Sequence, residues 1–90
     1  MAIPNVKTLS DADLLHLIND RRISDTERID LIADWLRRNQ ALADASPINN
    51  RRISDTERID LISNLVGAGT NRNISDAERV DQIAAWINTQ

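Results

Sequence analysis

Apolar residues recur along this chain at the three- and four-residue intervals of an α-helix, in separate short runs. Ile29, Ile32, Ala33 and Leu36 stand at i, i+3, i+4 and i+7 and define one stripe. Leu31 and Trp35 flank it and widen the apolar surface to about half the circumference, enough to touch two neighbours. This run predicts a helix from about Asp25 to Asn39. Ile59, Ile62 and Val66, with Leu61 and Leu65, predict a second from about Asp55 to Val66, stopped by Gly67 and the loop Gly67-Ala68-Gly69-Thr70-Asn71. Val80, Ile83, Ala84 and Ile87, with Trp86 at the flank, predict a third from about Asp76 to Asn88. Gln82 stands where the earlier runs have Leu31 and Leu61, so that flank is expected nearer solvent. A short apolar run, Leu14, Leu15, Leu17 and Ile18, predicts a helix from about Asp11 to Asn19. Gln40 to Ala45 either extends the Asp25–Asn39 helix or adds a turn. Ser46-Pro47-Ile48-Asn49-Asn50 breaks the chain, because the residue before proline disfavours α geometry. Nothing reads as a strand. The fold class is all-α, a compact bundle of four to five short helices in one domain, 1–90.

The runs share one beginning. Residues 19–32 read NDRRISDTERIDLI and 49–62 read NNRRISDTERIDLI, matching at thirteen of fourteen positions. NRNISDAERVDQI at 71–83 is a third copy, and NVKTLSDADLLHLI at 5–18 a faint fourth. The cassettes cover about 5–18, 19–39, 49–66 and 71–88. Their serines, Ser10, Ser24, Ser54 and Ser75, are 14, 30 and 21 residues apart. A solenoid needs a constant period to stack equivalent faces, so these copies are read as starts of helices in a closed bundle.

The cassette has a physical account. Ser24 is a good N-cap and Glu27 completes the box Ser-x-x-Glu; Ser54 with Glu57 and Ser75 with Glu78 repeat it, and Ser10 with Asp13 is a weaker form. Asp25, Asp55 and Asp76 place negative charge in the first turn, where the helix dipole favours it. Ile23, Ile53 and Ile74 precede the caps as apolar staples. Asp34 and Arg38 form an i, i+4 pair of favourable orientation.

Composition narrows the function. Cysteine is absent, which excludes disulfides, thiolate metal sites and a thiol nucleophile. Eleven basic residues face fourteen acidic ones for a net charge of −3, evenly spread over both halves. A dedicated nucleic-acid binder draws its affinity from a basic excess, which this chain lacks. No window has the apolar length of a membrane span, and the first fifteen residues lack the apolar core of a signal peptide. The expected location is cytoplasmic and no membrane partner is expected.

Catalytic chemistry finds little to work with. The repeated serines are committed to capping. His16, the only histidine, has Asp13 and Asp20 at i−3 and i+4, which falls short of a metal-ligand set. No phosphate-binding glycine loop, EF-hand or HExxH is present. The expectation is a non-enzyme with no cofactor and no metal.

Arginines and tryptophans remain. Arg21-Arg22, Arg51-Arg52 and Arg72 stand just before helix starts, while Arg28, Arg58 and Arg79 each precede an aspartate, Asp30, Asp60 or Asp81, by two residues. These arginines either pair with acids of another cassette or present forked donors to a carboxylate or phosphate. Trp35 and Trp86 occupy equivalent flank positions, and Trp and Arg are favoured interface anchors. The function expected is a non-catalytic helical module that binds another protein as a small inhibitor, adaptor or regulator. Trp35, Trp86, Leu31, Arg21, Arg22, Arg51, Arg52 and Arg72 are its candidate contacts, and a homo-oligomer is compatible with them. Size and composition compare with the small inhibitors of phages and mobile elements, an analogy of scale. The alternative is a small helix-turn-helix-like nucleic-acid regulator. Its connection Asn19–Ile23 is longer than the compact turn of that motif and lacks glycine, and Asp25 and Glu27 open its recognition helix.

Overall fold

Ser10, Ser24, Ser54 and Ser75 each start a helix. The computed structural model describes residues 9–39, Ile48, Asn50 and 52–90. Among these residues the elements are α1 (Asp11–Ile18), α2 (Asp25–Asn39), α3 (Asp55–Val66) and α4 (Asp76–Asn88), with no strand. Each serine Oγ accepts from the backbone N–H three residues on, at 3.1 to 3.2 Å. In two cassettes the hydroxyl also donates to the glutamate, Ser24 to Glu27 at 3.1 Å and Ser75 to Glu78 at 3.2 Å. The box therefore closes serine to glutamate side chain. Gly67 ends α3 in the left-handed region, φ 73°, its N–H donating to the Ser63 carbonyl. The expected extra turn over Gln40 to Ala45, and Ser46, Pro47 and Asn49 of the expected break, lie outside the described residues.

A tight turn precedes each of the three strong cassettes. The side chain of Asp20, Asn50 or Asn71 accepts the backbone N–H two residues on, at 2.9 Å in every copy. Short Asp and Asn side chains favour this local turn, and it aims the chain into the cap.

α2, α3 and α4 each pack on the other two, and α1 packs on α2 and α4. The same two cassette positions supply the centre: Ile29, Ile59 and Val80, then Ile32, Ile62 and Ile83, all fully buried. Each such side chain contributes about 1.5–3 kcal/mol by leaving water. The ends of α1 and α4 are tied by a reciprocal amide pair, Asn19 to Asn88 at 3.0 Å and Asn88 to Asn19 at 2.9 Å.

Candidate partner-binding surface

The cassette arginines close a ring. Arg28, Arg58 and Arg79 are at most 2% exposed. Each donates Nε to the carbonyl ten residues upstream: Arg28 to Ile18 at 2.8 Å, Arg58 to Ile48 at 2.7 Å, Arg79 to Gly69 at 2.8 Å. Each then reaches an aspartate of a different cassette. Arg28 meets Asp81 at 2.9 Å, Arg79 meets Asp60 at 2.7 Å, and Arg58 meets Asp30 at 2.7 Å. The order is α2 to α4, α4 to α3 and α3 to α2, so the pairs run once around the bundle. A guanidinium suits this place because its forked donors serve a carbonyl and a carboxylate together. The carboxylates lie at the rim, between a quarter and a third exposed, which limits the cost of desolvating the pairs.

A second layer of contacts follows the same path. Thr26 donates its hydroxyl to Asp55 at 2.6 Å, and Thr56 donates to Asp76 at 2.8 Å. These bonds join the first turns of α2 and α3 and of α3 and α4. The third cassette has Ala77 at that position and no hydroxyl to offer Asp25.

The arginines singled out in the sequence as partner contacts sit at the edge of this ring. Arg21 is 3.1 Å from the second oxygen of Asp81, and Arg72 is 3.3 Å from the second oxygen of Asp60. Two ring aspartates thus receive a buried arginine on one oxygen and an exposed one on the other. Arg22 holds Asp20 through two nitrogens at 3.0 and 3.2 Å, and this pairing keeps the Asp20 carboxyl below its ordinary range. Arg52 is exposed. Arg51 lies outside the described residues. Along α2, Arg38 places Nε 2.7 Å from Asp34, as the i, i+4 spacing suggested, and Arg37 also bonds Asp34.

Two arginines of α2 also fix how α1 lies. Arg28 holds the carbonyl of Ile18 at the end of α1, and Arg38 holds the carbonyl of Leu9 just before its start, at 2.7 Å. α1 therefore runs antiparallel to α2. Leu31 and Trp35 stand between the two arginines on the same face, at i+3 and i+7 from Arg28. Both are buried, so neither offers surface to a partner in this arrangement. Trp35 meets Trp86 edge to face, ring centres 6.0 Å apart and planes at 83°. Trp86 is half-buried and packs against the core from its edge. Gln82 is exposed, as its polarity requires.

The same face of α3 is different. Leu61 and Leu65 occupy the positions of Leu31 and Trp35, yet they are 36% and 54% exposed. They are the large apolar side chains exposed among the described residues. The sequence reading used them to widen a stripe and passed over them as contacts.

Polar chemistry offers less. A cleft of about 220 Å³ is lined by Asp60, Ser63, Asn64, Thr70, Arg72 and Arg79, and its two cations already meet its carboxylate. A larger cleft, about 370 Å³, has Leu15, Trp35 and Ile87 on its walls with Asp11, Asn39 and Asn88 around them. His16 is exposed on α1, and no cluster of three metal-ligating side chains occurs among the described residues. No described helix is long and apolar enough to cross a membrane. No protein-family model, curated protein or solved structure matches this chain.

Proposed function

We propose that this chain is a non-catalytic helical module that acts by binding another protein, as a small inhibitor, adaptor or regulator. The observation that carries this reading is the exposed Leu61–Leu65 pair on α3, whose counterparts on α2 are buried. Solvent-facing leucines at helical spacing, among the polar Thr56, Glu57 and Asn64 of the same helix, suit a protein contact. The arginines support the same reading from the other side. Arg21, Arg22 and Arg72 are paired with the chain's own carboxylates, so a duplex would have to compete for them. Arg28, in the helix that a helix-turn-helix would insert into a groove, is buried.

Affinity capture of the full chain from a lysate of the cells that make it, with and without nuclease, tests this. A stoichiometric protein retained through nuclease treatment is the expected result. Retention of nucleic acid alone, or of proteins that all leave with nuclease, would overturn the proposal.

A further inference from the structure

We propose that the cleft between α3, α4 and the loop joining them is a binding site for a singly charged carboxylate. Its walls are Asp60, Ser63 and Asn64 of α3, Thr70 and Arg72 of the loop, and Arg79 of α4, around a volume of about 220 Å³. Two cations share one carboxylate here. Arg79 bonds Asp60 Oδ1 at 2.7 Å and Arg72 lies 3.3 Å from Oδ2, so the set carries a net positive charge. Donors also remain. Arg79 gives Nε to the Gly69 carbonyl and Nη2 to Asp60 and, at 3.5 Å, to the buried Ser63 hydroxyl, while Nη1 has no partner among the described residues. Asn64 and Thr70 are exposed, and their side chains bond to no described residue.

The ring holds the same charges in a second place, and the comparison assigns the site. Asp81 receives Arg28 on one oxygen and Arg21 on the other, at 2.9 and 3.1 Å. Three and four residues past that aspartate stand Ala84 and Ala85, which offer no side-chain donor. Nine residues before Arg28 stands Asn19, whose amide is bonded to Asn88. At the Asp60 seam the same positions are Ser63, Asn64 and Thr70, each with a hydroxyl or an amide. The α3–α4 seam thus adds neutral donors to its excess positive charge, and the α2–α4 seam does not. Charge then sets the ligand. One carboxylate neutralises the set, its oxygens taking the forked donors of Arg72 with the Thr70 hydroxyl or the Asn64 amide. A doubly charged phosphate would bring a net negative charge against Asp60.

The probe is acetate, titrated into the nitrogen-labelled full chain at constant ionic strength with chloride as the reference ion. The expected result is saturable shifts of the Asn64 side-chain amide, the Thr70 N–H and the Arg72 Nε–H, with the Nε–H of Arg21 unmoved. Arg72→Gln should weaken acetate binding about fivefold or more and Thr70→Val about twofold, with the thermal midpoint in place because both side chains are exposed. Inorganic phosphate at about pH 8, where it is mostly doubly charged, should bind more weakly than acetate. Shifts that do not saturate, equal shifts at Arg21, or unchanged affinity in Arg72→Gln would overturn the site, and tighter binding of phosphate would overturn its charge class. A carboxylate has two sources, which N-acetyl-glutamate α-amide separates. Tighter binding of this compound than of acetate supports an acidic side chain of a polypeptide, and the reverse supports a free acid. The site requires no partner protein, so its failure would leave the binding-module reading to the capture experiment.

Discussion

Arg58 Nη2 lies 2.7 Å from Asp30 Oδ1, joining a fully buried cation on α3 to a rim carboxylate on α2 across 28 residues of sequence. The same guanidinium donates to the carbonyl of Ile48, so one side chain ties α3 both to the neighbouring helix and to the backbone ten residues upstream. Arg58→Met removes both bonds of a fully buried guanidinium, at a cost of about 3 kcal/mol. Arg58→Lys should recover little, because one ammonium cannot serve both acceptors in the fork's geometry. Urea unfolding of the two variants checks this, and a lysine variant as stable as the parent would refute the two-acceptor account.

The missing hydroxyl at position 77 gives a prediction of opposite sign. Thr26→Ala and Thr56→Ala should each lose about 1 kcal/mol with their bonds to Asp55 and Asp76. Ala77→Thr should gain a few tenths of a kcal/mol by supplying the third bond, to Asp25, less the lower helix propensity of threonine. Thermal unfolding of all three reads the signs. A destabilised Ala77→Thr protein would show that α4 meets α2 at a different distance from the other pairs.

Two glycines of one loop should respond unequally. Both have positive φ, 73° for Gly67 and 68° for Gly69. A Cβ on Gly67 meets nothing within 4 Å, whereas one on Gly69 falls 2.8 Å from the Arg79 carbonyl and 2.9 Å from Ile83. Gly67→Ala should cost about 1 kcal/mol, the price of a left-handed alanine. Gly69→Ala should cost clearly more, since Gly69 must also keep its carbonyl on Arg79. Equal losses would mean that the loop relaxes freely around position 69.

Acid should act locally at the first turn before α2. Hydrogen bonds from Arg22 stabilise the charged form of Asp20, so its folded pKa is lowered. A group of this kind adds stability above its unfolded pKa and loses it as pH falls through the folded value. The Asp20 carboxyl should therefore titrate on the acid side of the ordinary carboxylate range, and Arg22→Gln should move it back. Carbon-detected NMR of the side chain follows both, and an unchanged midpoint in Arg22→Gln would assign the shift elsewhere.

Much of this architecture is legible in the residues, because it is local. Ser24 with Glu27 marks a helix start, Gly67 marks a stop, and the stripes of Ile29, Ile59 and Val80 turn out to be the buried centre. Pairing of cassette arginines with acids of other cassettes was one of two readings, and the ring realises it. What the residues could not convey is long-range. That Arg28 would be buried depends on a carbonyl ten residues upstream folding back over it. The repeat of that spacing before Arg58 and Arg79 was the available hint. The burial of Leu31 and Trp35 depends on where α1 lies, which Arg28 and Arg38 set through backbone carbonyls of Ile18 and Leu9 that no residue pattern marks. Leu61 and Leu65 look identical to them in pattern and differ only in the company the fold provides.

The closure of the Arg–Asp pairs bears on how such a chain can change. A linear stack of repeats can gain or lose units at its ends, provided something polar covers the last one. A ring of three has no last unit. A fourth equivalent cassette would have to open an existing pair to enter, and deletion of one would leave an arginine and an aspartate facing gaps. The number of copies is thereby set by the pairing itself. A ring arginine and its aspartate can vary only together, while positions outside the ring, such as 61, 65 and 82, are free to diverge from copy to copy.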